Sequence, residues 1–155
     1  MNRELFTHSP EETRAAGERL GQVLEAGDVV LLYGELGAGK TAFTQGLARG
    51  LDVPAGRRVA SPTFALVSEH QGRVMLHHID LYRLETVRDM EEIGMRDYLD
   101  GAGVAVVEWA ERLGTLIPDG RIEVRIEILD ESERRVQIAA VGKKAEARLA
   151  RLDAR

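Results

Sequence analysis

Lys40 and Thr41 close the stretch Gly34-Glu35-Leu36-Gly37-Ala38-Gly39-Lys40-Thr41, which reads G-x-x-x-x-G-K-T. That spacing is the pattern of a phosphate-binding loop. Gly37 and Gly39 lack a Cβ and tolerate positive φ, so the backbone can wrap a phosphate with its N–H groups turned inward. Lys40 is expected to reach the β- and γ-phosphates of a nucleotide, and the Thr41 hydroxyl to ligate Mg²⁺. Two carboxylates follow, each at the end of an apolar run: Asp80 after Val74-Met75-Leu76-His77-His78-Ile79, and Glu108 after Gly103-Val104-Ala105-Val106-Val107. A carboxylate at a strand end, level with such a loop, can hold Mg²⁺ directly or through water, or orient an attacking water. Glu108 is expected near Mg²⁺ and the γ-phosphate. Ser61 and Thr63 flank Pro62 in the segment 59–64. Hydroxyls on such a loop either sense a γ-phosphate or cap a strand entry.

These groups need elements to hold them. Val29-Val30-Leu31-Leu32-Tyr33 is a short apolar, β-branched run, typical of a buried parallel strand. After the loop, apolar residues at 43, 47 and 48 give a helical spacing, and that helix would aim its positive end at the phosphate. Upstream, Ser9-Pro10-Glu11-Glu12 starts a helix: Ser9 is the N-cap, Pro10 the first position, Glu12 the capping-box partner. Leu20, Val23 and Leu24 form its stripe and Gly27 ends it, while residues 3–7 form a short strand that can border an adenine. Ala65–His70 and Arg73–Asp80 predict a hairpin turning at Gln71-Gly72. His77 and His78 fall on opposite faces of that second arm, which makes them structural rather than joint metal ligands. Thr86 to Ile93 is helical, Gly94 breaks it, and Met95 to Leu99 is a second short turn. Arg83 either contacts phosphate or pairs with Glu85 or Asp89. Trp109 packs beside the site, anchors a partner or fills core. Residues 121–129 and 134–141 alternate in polarity and predict an antiparallel extension of the sheet with one wet face. Lys143 to Arg155 is an amphipathic basic helix, read as a capping helix in preference to a surface for RNA or an acidic partner.

The 155 residues suit a single domain, 1–155, with the basic helix 143–155 at its end. A net charge of −5 argues against a surface that is one nucleic-acid footprint, and 5% aromatics argue against base stacking as its theme. The absence of cysteine excludes disulfides, thiolate nucleophiles and cysteine-held zinc. No apolar run approaches the ~20 residues of a membrane span, and Met1 to Pro10 has no basic-then-apolar signal. A cytoplasmic location is expected.

Four segments stand in order: GELGAGKT (34–41), SPTF (61–64), HIDLYRL (78–84) and VEWAERL (107–113). Together, over about residues 9–141, they resemble the TsaE family, also called YjeE. This is the bacterial ATPase component of the machinery that makes N6-threonylcarbamoyladenosine (t6A) in tRNA. The resemblance implies a P-loop α/β fold, three-layered, with a mixed and mostly parallel sheet. It implies binding of ATP and Mg²⁺, hydrolysis that is weak alone, and action with TsaB and TsaD at A37 of tRNAs, which the protein meets through the complex. On this resemblance Gly37, Ala38, Gly39, Lys40, Thr41 and Ala42 hold ATP, with Thr41 on Mg²⁺. Thr63, with Ser61, belongs to a switch-like loop; Asp80 matches an acidic position, Glu108 the Mg²⁺-associated glutamate, and Trp109 the tryptophan beside it. Ser9 falls near the adenine. Ala42 departs from members that carry a second threonine after the lysine, and so lacks a hydroxyl for the α-phosphate.

An ATPase is the leading expectation, with Lys40, Asp80 and Glu108 as its catalytic set; which acid ligates Mg²⁺ directly stays open. A nucleotide-gated binding module with incidental hydrolysis is the alternative. A small-molecule kinase ranks low, because no arginine-rich lid or acceptor pocket is evident.

Overall fold

The computed structural model describes residues 1–55, 59, 67–82, 86–92 and 94–154, with the side chains of Val87 and Glu92 left aside. Its strands form one seven-stranded sheet in the order β1-β7-β6-β2-β5-β4-β3. They are β1 Asn2–Thr7, β2 Val29–Tyr33, β3 Val67–Gln71, β4 Met75–Asp80, β5 Val104–Glu108, β6 Arg121–Ile128 and β7 Arg134–Val141. The helices are α1 Pro10–Val23, α2 Lys40–Gly50, α3 Val87–Glu92, α4 Met95–Leu99 and α5 Lys143–Asp153, with a 3₁₀ segment at Ala110–Leu116.

β2, β4, β5 and β6 run parallel as a central block, while β3 and β7 are antiparallel to their neighbours. β1 is antiparallel to β7 and therefore runs with the block. The expected hairpin of β6 and β7 is present, but β6 joins β2 in parallel, so of these two strands only β7 runs against the block. The reason is non-local: β2 offers a fully buried edge that β6 satisfies with its Ile122, Val124 and Ile126 face.

Alternation along β2 sends Val30 and Leu32 into one core, with α1, α2 and α5 residues such as Leu20, Phe43 and Leu149. Val29 and Leu31 enter a second core with Ile79, Met90, Met95 and Leu113. Helices therefore cover both faces, which is why the strand reads as an unbroken apolar run.

The α1–α2 seam is built from glycine. A Cβ at Gly46 would sit 1.8 Å from the Arg14 carbonyl oxygen, and one at Gly17 2.1 Å from that of Phe43. Gly21 and Gly50 meet the opposite backbone at 2.3 Å in the same sense. Both helices thus carry G-x-x-x-G on the facing side, and their backbones touch.

Ser9 caps α1 as expected, its Oγ accepting from the Glu12 N–H at 3.1 Å, but the Glu12 carboxylate takes the His8 N–H at 2.9 Å in place of that of Ser9. α1 stops at Val23, short of Gly27, which takes φ 93° in the following turn. Arg73 helps set that end: its guanidinium donates to the carbonyls of Gly21 and Leu24 at 2.7 and 2.8 Å. This draws Arg73 out of the strand, so the hairpin turns over residues 72–74 rather than at Gln71-Gly72.

The basic helix is partly spent inside the molecule. Arg148 is buried and donates to Asp28 at 2.8 Å, Arg151 pairs with Glu25, and Asp153 pairs with Arg3. Arg148 is accordingly not part of a solvated face, whereas Arg151, though paired, stays exposed, as do Lys143 and Lys144. Among the described residues no helix is long and apolar enough to cross a membrane.

Candidate functional site

Parallel pairing sets the site. Leu32 of β2 is in register with Glu108 of β5, and Glu108 with Asp80 of β4, so three strands end level. The crevice at the carboxyl ends of such strands is where an open α/β sheet places ligands.

β2 runs directly into the glycine loop. Gly37 takes φ 82° and Gly39 φ 112°, a region that L-residues avoid. A Cβ on Gly34 would lie 2.8 Å from the Ile126 carbonyl oxygen, so the loop hugs β6. Gly39 is the N-cap of α2 and supplies no side-chain cap, and the first turn contains no acid. The positive end of α2 therefore faces the cavity uncompensated.

Lys40 is buried; its Nζ donates to the Gly34 carbonyl at 2.8 Å and lies 4.1 Å from the centre of the Trp109 ring. Trp109 adopts φ 58°, ψ 43°, a left-handed conformation that costs a bulky residue about 1–3 kcal/mol. That reversal immediately after β5 turns the indole back over Lys40, with the Tyr82 ring 5.1 Å away. Asp80 accepts the Tyr82 N–H at 2.9 Å, closing the turn after β4. A cavity of about 440 Å³ is lined by Leu36, Gly37, Gly39, Lys40, Thr41, Asp80, Tyr82, Glu108 and Trp109.

A second cavity, about 290 Å³, opens on the other side of the loop. Ser9, Thr13, Gly37, Ala38, Gly39 and Ala42 line it with His8 and Arg134. Arg134 donates from Nε to the Ala38 carbonyl at 3.1 Å, tying the loop to the start of β7. His8 bridges the rim, 2.8 Å from Glu133 and 3.3 Å from Glu12, and those carboxylates, Glu133 foremost, hold its imidazolium above the ordinary histidine range. Asp130 sits below the usual carboxylate range because the N–H groups of Glu133 and Ser132 donate to it, which fixes the β6–β7 turn.

The residues expected to act thus divide between two cavities sharing one wall. Lys40, Thr41, Asp80, Glu108 and Trp109 converge in the first; Ser9, Ala38 and Ala42 line the second; Gly37 and Gly39 serve both. Ser61, Thr63 and Arg83 lie outside the described residues. Sequence reasoning missed Tyr82, Thr13 and Arg134, and it did not join His78 to Glu108. His78, read as structural, is buried and places Nε2 at 2.5 Å from Glu108 Oε2. The signal was available: strand alternation puts 78 on the same face as 80.

The donor set fits Mg²⁺. A threonine hydroxyl and two carboxylates are hard oxygen donors, and among the described residues no cluster of three acids or histidines makes a ready cage. Mg²⁺ is commonly held by one or two carboxylates together with substrate phosphates and waters.

Strand, glycine loop and helix, with a lysine and a hydroxyl at the helix start and acids on adjacent strand ends, define a three-layer α/β protein of the P-loop type. The sequence over residues 7–136 matches the family described as threonylcarbamoyl adenosine biosynthesis protein TsaE. The chain belongs to the TsaE family. It is 38% identical over 133 residues to the tRNA threonylcarbamoyladenosine biosynthesis protein TsaE of Treponema pallidum, covering 86% of this chain and 97% of that one. The protein of the same name from Bacillus subtilis is 40% identical over 141 residues, covering 90% and 87%. The crystal structure of Bacillus subtilis YdiB superposes with a TM-score of 0.84 at 33% identity, over 99% of this chain and 95% of that one.

Proposed function

We propose that this protein binds and hydrolyses Mg·ATP in support of t6A formation at A37 of tRNA, acting with TsaB and TsaD. One observation carries the catalytic part: Lys40, Thr41, Asp80 and Glu108 line a single cavity at the positive end of α2. Family membership supports the pathway and the partners. The phosphates fit the larger cavity and the adenosine the smaller, with the loop N–H groups between them. To engage phosphate, the Lys40 ammonium exchanges the Gly34 carbonyl and the Trp109 face for phosphate oxygens. The Thr41 hydroxyl and the Glu108 or Asp80 carboxylate would hold Mg²⁺, which when bound neutralises charge developing on the transferred phosphoryl group. The remaining carboxylate orients water. Lys40→Ala is expected to weaken binding of a non-hydrolysable ATP analogue and to abolish turnover; an unchanged ATPase rate would sink the mechanism.

The nucleotide-gated module has its own support: Leu36 is 82% exposed and Tyr82 54% exposed at the cavity mouth. Apolar side chains at the lip of a nucleotide site suit a surface read by a partner. Turnover measured with and without TsaB and TsaD separates the readings. A sharp rise on complex formation favours the coupled ATPase; unchanged turnover with nucleotide-dependent assembly favours the module.

A further inference from the structure

His78 is fully buried and Glu108 is 3% exposed. Along β4, residues 76, 78 and 80 share the face toward α2, where Leu76 joins the core of Val104, Val106 and Leu47. Across the ladder His78 is in register with Val106 and Asp80 with Glu108. The imidazole therefore reaches along the strand to the carboxylate, and Nε2 stands 2.5 Å from Oε2. A carboxylate only accepts, so Nε2–H is the donor. The other ring nitrogen, Nδ1, has no hydrogen-bond partner among the described residues. A buried imidazole with one nitrogen unpartnered is costly compared with leucine or phenylalanine, which would fill the space without a polar atom. Only the bond to Glu108 offsets that cost, so packing alone does not account for a histidine here.

We propose that His78 is a positioning residue, which locks the Glu108 carboxylate in the orientation that receives Mg²⁺ at the cavity floor. The proposal rests on the Mg·ATP reading of the site. Outer partners of this kind typically change metal affinity or activity 10- to 100-fold when removed.

The test compares wild-type protein with His78→Leu, His78→Gln and His78→Asn. Each is first checked for folding by thermal unfolding without nucleotide. Calorimetry then measures affinity for a non-hydrolysable ATP analogue with and without Mg²⁺, and the ratio of the two is the readout. Glutamine can place its amide nitrogen where Nε2 lies, whereas asparagine reaches only the Nδ1 position. The Mg²⁺ ratio is expected to survive in His78→Gln and to fall about 10- to 100-fold in His78→Leu and His78→Asn, with Mg²⁺-free affinity unchanged and kcat reduced. A folded His78→Leu with the wild-type ratio overturns the proposal. Equal ratios for the glutamine and asparagine variants overturn it too, and decide the matter if the leucine variant does not fold. Wild-type protein without any Mg²⁺ enhancement would bring down the Mg·ATP reading itself, and the role of His78 with it.

Discussion

Replacing Gly46 by alanine tests the glycine seam and its bearing on the site. In an ordinary exposed helix this change adds about 1 kcal/mol of stability through helix propensity. Here the new Cβ would stand 1.8 Å from the Arg14 carbonyl oxygen, with the carbonyl carbon and Cα of Arg14 at 2.6 and 2.8 Å. Backbone atoms cannot rotate away as a side-chain tip can. To reach an ordinary contact of 3.4 Å, α2 must retreat from α1 by about 1.6 Å. Overpacking of this severity costs about 3 kcal/mol; less the propensity gain, a net loss of about 2 kcal/mol remains. For a domain of this size that lowers Tm by about 4–8 °C. The retreat also parts Thr13 from Gly39, where a Cβ on Gly39 would lie 3.5 Å from the Thr13 methyl, while leaving β2, β4 and β5 in place. ADP affinity is therefore expected to fall more than pyrophosphate affinity. Differential scanning calorimetry and ligand titration read both effects. A Gly46→Ala protein as stable as wild type, or more so, would refute the reasoning.

Other outcomes follow from particular contacts. Trp109 is the sole tryptophan and lies against the Lys40 ammonium, so ATP-analogue binding should change its fluorescence, and Lys40→Ala should remove that change. Arg148→Met leaves the buried Asp28 with the Glu25 N–H but without its guanidinium; a loss of about 3 kcal/mol is expected, and thermal unfolding should show Asp28→Asn recovering part of it. The folded-state pKa of His8 is raised by Glu133 and Glu12. Its contribution to stability is therefore complete below the unfolded value of about 6.5 and is lost as pH rises through the folded value. Wild type and His8→Gln should differ most at the acid end of a stability–pH series and converge above neutrality; the reverse trend would exclude the clasp.

The local parts of the fold were legible. Val29–Tyr33 announces a strand buried on both faces because no polar residue interrupts it, and the glycines at 37 and 39 can only mean a loop of special backbone. Asp80 and Glu108 could be placed because each ends an apolar run. What escaped was pairing between distant segments. β6 alternates like an edge strand, and nothing local says that it will join β2 in parallel. Gly17, Gly21, Gly46 and Gly50 show their spacing within each helix, but their meaning lies in the opposite backbone. Arg148 reads as a solvated basic residue until α5 is laid over Asp28. His78 is the sharpest case, since its partner lies thirty positions away on the next strand. The alternation that separates it from His77 also sets it on the same face as Asp80.

The loop at 34–41 borders two cavities at once, with Gly37 and Gly39 lining both. Its two sides face different chambers, and Arg134 anchors it from one of them through the Ala38 carbonyl. On the Mg·ATP reading, whatever enters one chamber presses on the boundary of the other. Adenosine and triphosphate would then be sensed jointly rather than as two separate fragments, and their affinities would not combine as independent terms.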